Sequence, residues 1–111
     1  MPVTLLDQQG VEVQYPNGSV RVMFTLNSAG YATVTMSSPL AFKTTINDGD
    51  PTRIWIDVSG KTFQVAVRDG DTMHIRLPKQ PDVVMEMDWE RARRVTVHIE
   101  KGPGIGYRRV E

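Results

Sequence analysis

The sequence predicts an all-β fold, an antiparallel sandwich or barrel of hairpins with roughly eight to ten short strands. Three observations predict it. Apolar residues alternate with polar ones along almost the whole chain. Clusters of Gly, Pro, Asn and Asp punctuate the alternating runs. Thr and Val, which suit a pleated and half-buried surface, fill those runs.

The elements follow in order. Met1 to Gly10 reads as an arm with an apolar grip at Val3, Leu5 and Leu6. After the turn formers Pro16-Asn17-Gly18, Val20, Val22, Phe24 and Leu26 alternate with Arg21, Met23 and Thr25. Asn27-Ser28-Ala29-Gly30 separates these from Ala32, Val34 and Met36. Phe42 and Ile46 flank Lys43 and Thr45 before the turn Asn47-Asp48-Gly49-Asp50-Pro51. Ile54, Ile56 and Val58 form the next apolar set, then Phe63, Val65 and Val67, then Met73, Ile75 and Leu77. Pro78-Lys79-Gln80-Pro81-Asp82 leads to Val83, Met85 and Met87, and Val95, Val97 and Ile99 close the series. Only the stretch near 88–94 is a helix candidate, with Asp88 as its cap, and it is long enough for one turn at most. The methionines fall mostly on apolar positions and read as gap-filling core.

Turn chemistry predicts specific pairings. A two-residue loop at Ser59-Gly60 sets Ile56 against Phe63 and Ile54 against Val65. A three-residue loop at Arg68-Asp69-Gly70 sets Val65 against Met73 and Phe63 against Ile75, with Gly70 left-handed. The loop Pro78 to Asp82 sets Leu77 against Val83 and Ile75 against Met85. Slipping any strand by one residue exposes its whole apolar set. These registers put Trp55, Gln64, His74 and Glu86, then His98 or Thr96, in one row on the opposite face, with His74 beside Glu86.

With 111 residues the chain fits a single domain, 1–111, that buries roughly 65% of its unfolded surface. Residues 1–10 are an expected N-terminal arm, and 102–111 an expected basic, Gly-rich tail. The absence of cysteine excludes disulfides and thiolate metal sites. Together with the lack of a basic-then-apolar leader pattern, it favours a reducing, cytoplasmic setting. No stretch approaches the ~20 apolar residues of a membrane helix, and no membrane partner is expected. Thirteen basic and thirteen acidic residues cancel. They are unevenly spread: residues 1–60 carry three basic and five acidic residues, whereas 91–109 carry six basic and one acidic. The basic residues are Arg91, Arg93, Arg94, Lys101, Arg108 and Arg109, and they form a candidate anion-facing patch.

Chemistry-bearing motifs are scarce. His74, Glu86 and His98 span ~10 Å on flat strands, too far for one ion, so no metal and no cofactor is expected. No nucleophile or oxyanion donor accompanies them, so no enzyme is expected. Asp48-Gly49-Asp50 and Asp69-Gly70-Asp71 lack the spaced carboxylates of a calcium loop and read as turns, whose similarity at an offset of 21 is not a repeat. Gly102-Pro103-Gly104-Ile105-Gly106 lacks the ending of a nucleotide loop and leads to a terminal strand. Trp55, Gln64, His74 and Glu86 remain as candidate binding residues, with Trp55 an outward stacking platform or a residue covered by a second sheet or subunit.

The expected function is therefore a non-enzymatic protein–protein interaction or assembly module, such as a virion component, accessory subunit or inhibitor. Its expected partner is itself, through terminal arms that add to sheet edges. The alternative is a carbohydrate- or nucleic-acid-binding module using the exposed Trp or the basic end.

Overall fold

A computed structural model describes residues 2–27, 29–47, 56–58 and 61–110. Among the described residues eleven strands lie in two antiparallel sheets. The six-stranded sheet holds β1 (Pro2–Leu5), β5 (Phe42–Ile46), β6 (Ile56–Val58), β8 (Thr72–Arg76), β9 (Val83–Asp88) and β10 (Arg94–Ile99), in the order β1-β10-β9-β8-β5-β6. The five-stranded sheet holds β2 (Gly10–Tyr15), β3 (Gly18–Leu26), β4 (Tyr31–Ser38), β7 (Lys61–Arg68) and β11 (Gly106–Val110), in the order β11-β2-β3-β4-β7. Of the two antiparallel all-β architectures expected, sandwich or barrel, the two-sheet sandwich is the one observed.

The alternation explains why two sheets form. On the strands with the clearest alternation, one parity is buried: Val20, Val22 and Phe24 on β3, Met73 and Ile75 on β8, Val95, Val97 and Ile99 on β10. Each sheet is apolar on one face only, so the two faces must cover each other. Met36, Met73, Met85 and Met87 are buried in this core, as gap fillers do. Met23 is the departure: it lies on the outer face beside Gly10, where a Cβ would overlap its sulfur and the Val22 carbonyl oxygen.

Two expected hairpins are not formed. β6 pairs with β5, Val58 opposite Phe42 and Ile56 opposite Thr44, while β7 pairs with β4 across the sandwich. The chain therefore changes sheets between Val58 and Lys61, and Ser59 and Gly60 themselves lie outside the described residues. It changes back at Arg68-Asp69-Gly70, because β8 pairs with β5 and β9 rather than with β7. The third register is displaced by two: Ile75 faces Val83 and Met73 faces Met85. The sets Val65 and Val67, Met73, Ile75 and Leu77, and Val83, Met85 and Met87 keep their predicted face, since a two-residue slip preserves the pleat.

The turn at 68–71 is fixed by its own side chains. Asp71 is buried, and its Oδ2 accepts the Arg68 amide at 2.8 Å while its Oδ1 accepts Asn47 Nδ2 at 2.9 Å. Gly70, at φ 86°, donates its amide to the Met87 carbonyl at 2.8 Å. This clamp ties the exit of β7 to β5 and β9 of the other sheet. One short helix, α1 (Trp89–Ala92), follows β9, within the stretch expected to be helical. Asp88 makes no side-chain cap; Asp69 of the neighbouring turn instead accepts the Glu90 amide at 3.0 Å. Trp89 is buried, its ring centroid 5.9 Å from that of Phe24.

Candidate interaction surface

The expected row of polar residues is divided between two sheets. Gln64 projects from the outer face of β7, its Nε2 3.4 Å from Thr35 Oγ1. His74 and Glu86 lie on the outer face of the other sheet, so Gln64 shares no face with them. Trp55 lies outside the described residues. His74 faces Val84 and Thr45, not Glu86; the two-residue register difference on β8–β9 sets Thr72 opposite Glu86 instead. Glu86 faces Thr96 and Thr72, and its Oε1 lies 3.5 Å from His98 Nε2, an ion pair only when that ring is protonated. Among the described residues no three His, Asp or Glu side chains converge as metal ligands.

The six basic residues do not form one patch either. Arg91 sits on α1, Arg93 ends it in a left-handed conformation, and Arg94 faces Asp88. Lys101 lies past the far end of β10, ~20 Å away along the six-residue strand. Arg108 and Arg109 belong to β11 in the opposite sheet. Separation in sequence by a strand became separation in space by the strand's length.

Arg108 has a partner that the sequence reading missed. Glu12 on β2 receives Arg108 Nε at 3.3 Å and Nη2 at 3.4 Å, and Arg21 Nη2 at 3.4 Å from the other side. The Arg108 hydrogen bonds hold the Glu12 carboxyl below its ordinary value of 4.5; partial desolvation opposes this, and the charges of Arg108 and Arg21 reinforce it. The signal was present: a two-residue turn at Pro16-Asn17 sets Tyr15 against Gly18 and hence Glu12 against Arg21. The row continues through Ser37 to Thr62, and with Ser19 these line a shallow polar cleft of about 340 Å³. A second recess, about 480 Å³, lies at the joint end of β5 and β8 between Phe42, Leu77 and Pro78, with Arg76 at its rim held by Asp82 at 3.1 Å. Neither recess carries a catalytic constellation. At that end of the sandwich the Tyr15 hydroxyl is pushed up to about 12, by burial first and the Asp82 charge second.

The two lateral margins of the sandwich differ most. On one side β1 and β11 are the outermost strands of their sheets. β1 buries Val3 and Leu5 and pairs with β10, while β11 pairs with β2. Arg109 Nη1 donates to the Thr4 carbonyl at 2.7 Å, fastening one sheet's margin to the other's. Both expected arms are thus strands of their own chain. On the other side β7, eight residues long, pairs among the described residues with β4 alone. From Thr62 to Val67 it carries no charge, and Thr62, Gln64 and Ala66 are exposed on its outer face.

No family model, curated protein or solved structure matches this chain.

Proposed function

We propose that this protein is a non-enzymatic interaction module that associates with itself through a sheet margin. The observation that carries the reading is the eight-residue strand β7, uncharged from Thr62 to Val67, at the limit of its sheet among the described residues. Such a strand presents N–H and C=O groups that can pair with an added strand; among the described residues those of Thr62, Gln64 and Ala66 face that side, while Arg68 is held by Asp71. Proteins that stay apart blunt such strands with lysines, prolines or bulges, and Thr62 to Val67 has none of the first two. Backbone hydrogen bonds to an added strand supply affinity, and alternate side chains supply selectivity. The terminal segments are poorer candidates, because exchange would first break β1–β10 or β11–β2 pairing. The reading is tested by mass: light scattering at high micromolar concentration should give a multiple of the 12.5 kDa chain. A monomer there would refute self-association.

A further inference from the structure

We propose that the polar cleft on the outer face of the five-stranded sheet is a binding site for a neutral saccharide. This site lies on a face of the sheet, and nothing in it depends on the self-association proposed above. One register row crosses the whole sheet there: Arg108, Glu12, Arg21, Ser37 and Thr62, each opposite the next. The end of β4 builds one wall. Ser38 is buried, donates its hydroxyl to the Ser19 carbonyl at 2.7 Å and accepts the Leu40 amide at 3.0 Å. Leu40 in turn packs over Gly18, where a Cβ would lie 3.0 Å from its side chain. These contacts hold the exposed Pro39 at the rim of a recess of about 340 Å³, within the size range of small-ligand sites.

The chemistry of the walls selects the ligand. Glu12 keeps its charge, because the Arg108 hydrogen bonds and the two guanidinium charges hold its carboxyl below the ordinary value. An oxyanion seated beside it would meet that carboxylate, and an ammonium would meet the two guanidiniums, so neither sign of charge gains by entering. The site offers matched donors and acceptors instead. Among the described residues the hydroxyls of Ser19, Ser37 and Thr62, which line the recess, have no protein partner. Arg21 spends on Glu12 one of the five N–H groups a guanidinium carries. Glu12 accepts from Arg108 Nε and Nη2 and from Arg21 Nη2, which leaves one of the roughly four acceptor positions of a carboxylate. A sugar hydroxyl donates and accepts at once, so adjacent hydroxyls on one ring can donate to Glu12 and accept from Arg21 and Ser37. Hydrogen bonds to the two charged groups are the stronger ones. The Pro39 ring is an apolar ledge for the C–H face of the sugar.

Backbone amide shifts of the isotope-labelled full chain test the site. The protein is titrated in turn with D-glucose, D-galactose, D-mannose and N-acetyl-D-glucosamine, then with inorganic phosphate and with tetramethylammonium chloride. At least one sugar should give saturable shifts at Ser19, Arg21 and Ser37, and should bind there more tightly than either ion. Ser37→Ala should weaken that sugar about fivefold, the loss of one neutral hydrogen bond, and Thr62→Val, at an exposed position, by a similar factor. Thr25→Ala, ~13 Å from Arg21 along β3 and outside the cleft, should leave the affinity unchanged. No saturable shift at these amides with any of the four sugars would overturn the proposal. Tighter binding of phosphate or tetramethylammonium at the same amides would also overturn it, and so would equal affinity in all three variants.

Discussion

The two margins of this sandwich are built from similar lengths of strand and end differently. The β1/β11 margin is anchored by buried Val3 and Leu5 and fastened by the Arg109–Thr4 hydrogen bond. The β7 margin has the same inward anchors, Val65 and Val67, and among the described residues its fastening to the other sheet is confined to its exit, where Asp71 holds the Arg68 amide and Asn47. Both are stable as parts of one core. What differs is where the outermost backbone is engaged: at the Thr4 carbonyl in the middle of β1 on one side, and only at Arg68, the last residue of β7, on the other. Burial governs folding; unpaired peptide groups at the limit of a sheet govern association.

The comparison breaks most visibly in the core beneath each margin. Leu5→Ala, at a fully buried site, should lower unfolding free energy by about 2–5 kcal/mol in urea titration. Ala66→Lys, exposed on β7, should change it by under about 0.5 kcal/mol while abolishing association. Equal losses of stability would mean that β7 is no freer than β1. Next in size is the clamp at the exit of β7. Asp71→Ala leaves the Arg68 amide and Asn47 amide without their acceptor and should cost about 1–3 kcal/mol in the same titration. An unchanged midpoint would show that the backbone bonds of Gly70 and Met87 suffice.

Smaller effects sharpen the fastened side. Arg109→Ala should lower stability by about 1 kcal/mol or less, since the site is exposed, and should speed amide exchange in β1 and β11 before any other strand. Uniform exchange would deny the fastening role. The smallest effect is pH-dependent. Glu12 has a depressed folded value, so its contribution is complete above 4.5 and fades as pH falls through that lower value. β11 amides should exchange faster as pH is lowered from 5 to 3, after correction for intrinsic rates, and Glu12→Gln should remove that trend. A trend that persists in Glu12→Gln would assign it to another carboxylate.

The faces of the strands were legible in the sequence; their neighbours were only partly so. Alternation states which side chains seek a core, and it placed Ile75, Met85 and Val97 correctly. It is silent on whether two strands sit side by side in one sheet or face each other across two, because both arrangements bury the same parity. That degeneracy produced the Ser59-Gly60 and Arg68-Asp69-Gly70 hairpins, whose flanking strands in fact belong to opposite sheets. It also left the β8–β9 register open by two, which exchanged His98 for His74 as the neighbour of Glu86. The Glu12–Arg21 pair was legible from the short turn at Pro16-Asn17, whereas Arg108 was not: its approach to Glu12 requires a strand 96 positions away.

That same separation bears on the order in which the molecule can be made. Pro2 to Leu5 find their ladder only in Val95 to His98, and Val11 and Val13 complete theirs only with Arg109 and Tyr107. At a synthesis rate of ~5–20 residues per second, the first strand waits roughly 5–20 s for its mate to be polymerised. Through that interval β2, β3 and β4 can close as consecutive hairpins, while Val3 and Leu5 stay in solvent or in the care of a chaperone. Among the described strands, β1 and β2 thus wait longest for the ladders that β10 and β11 complete.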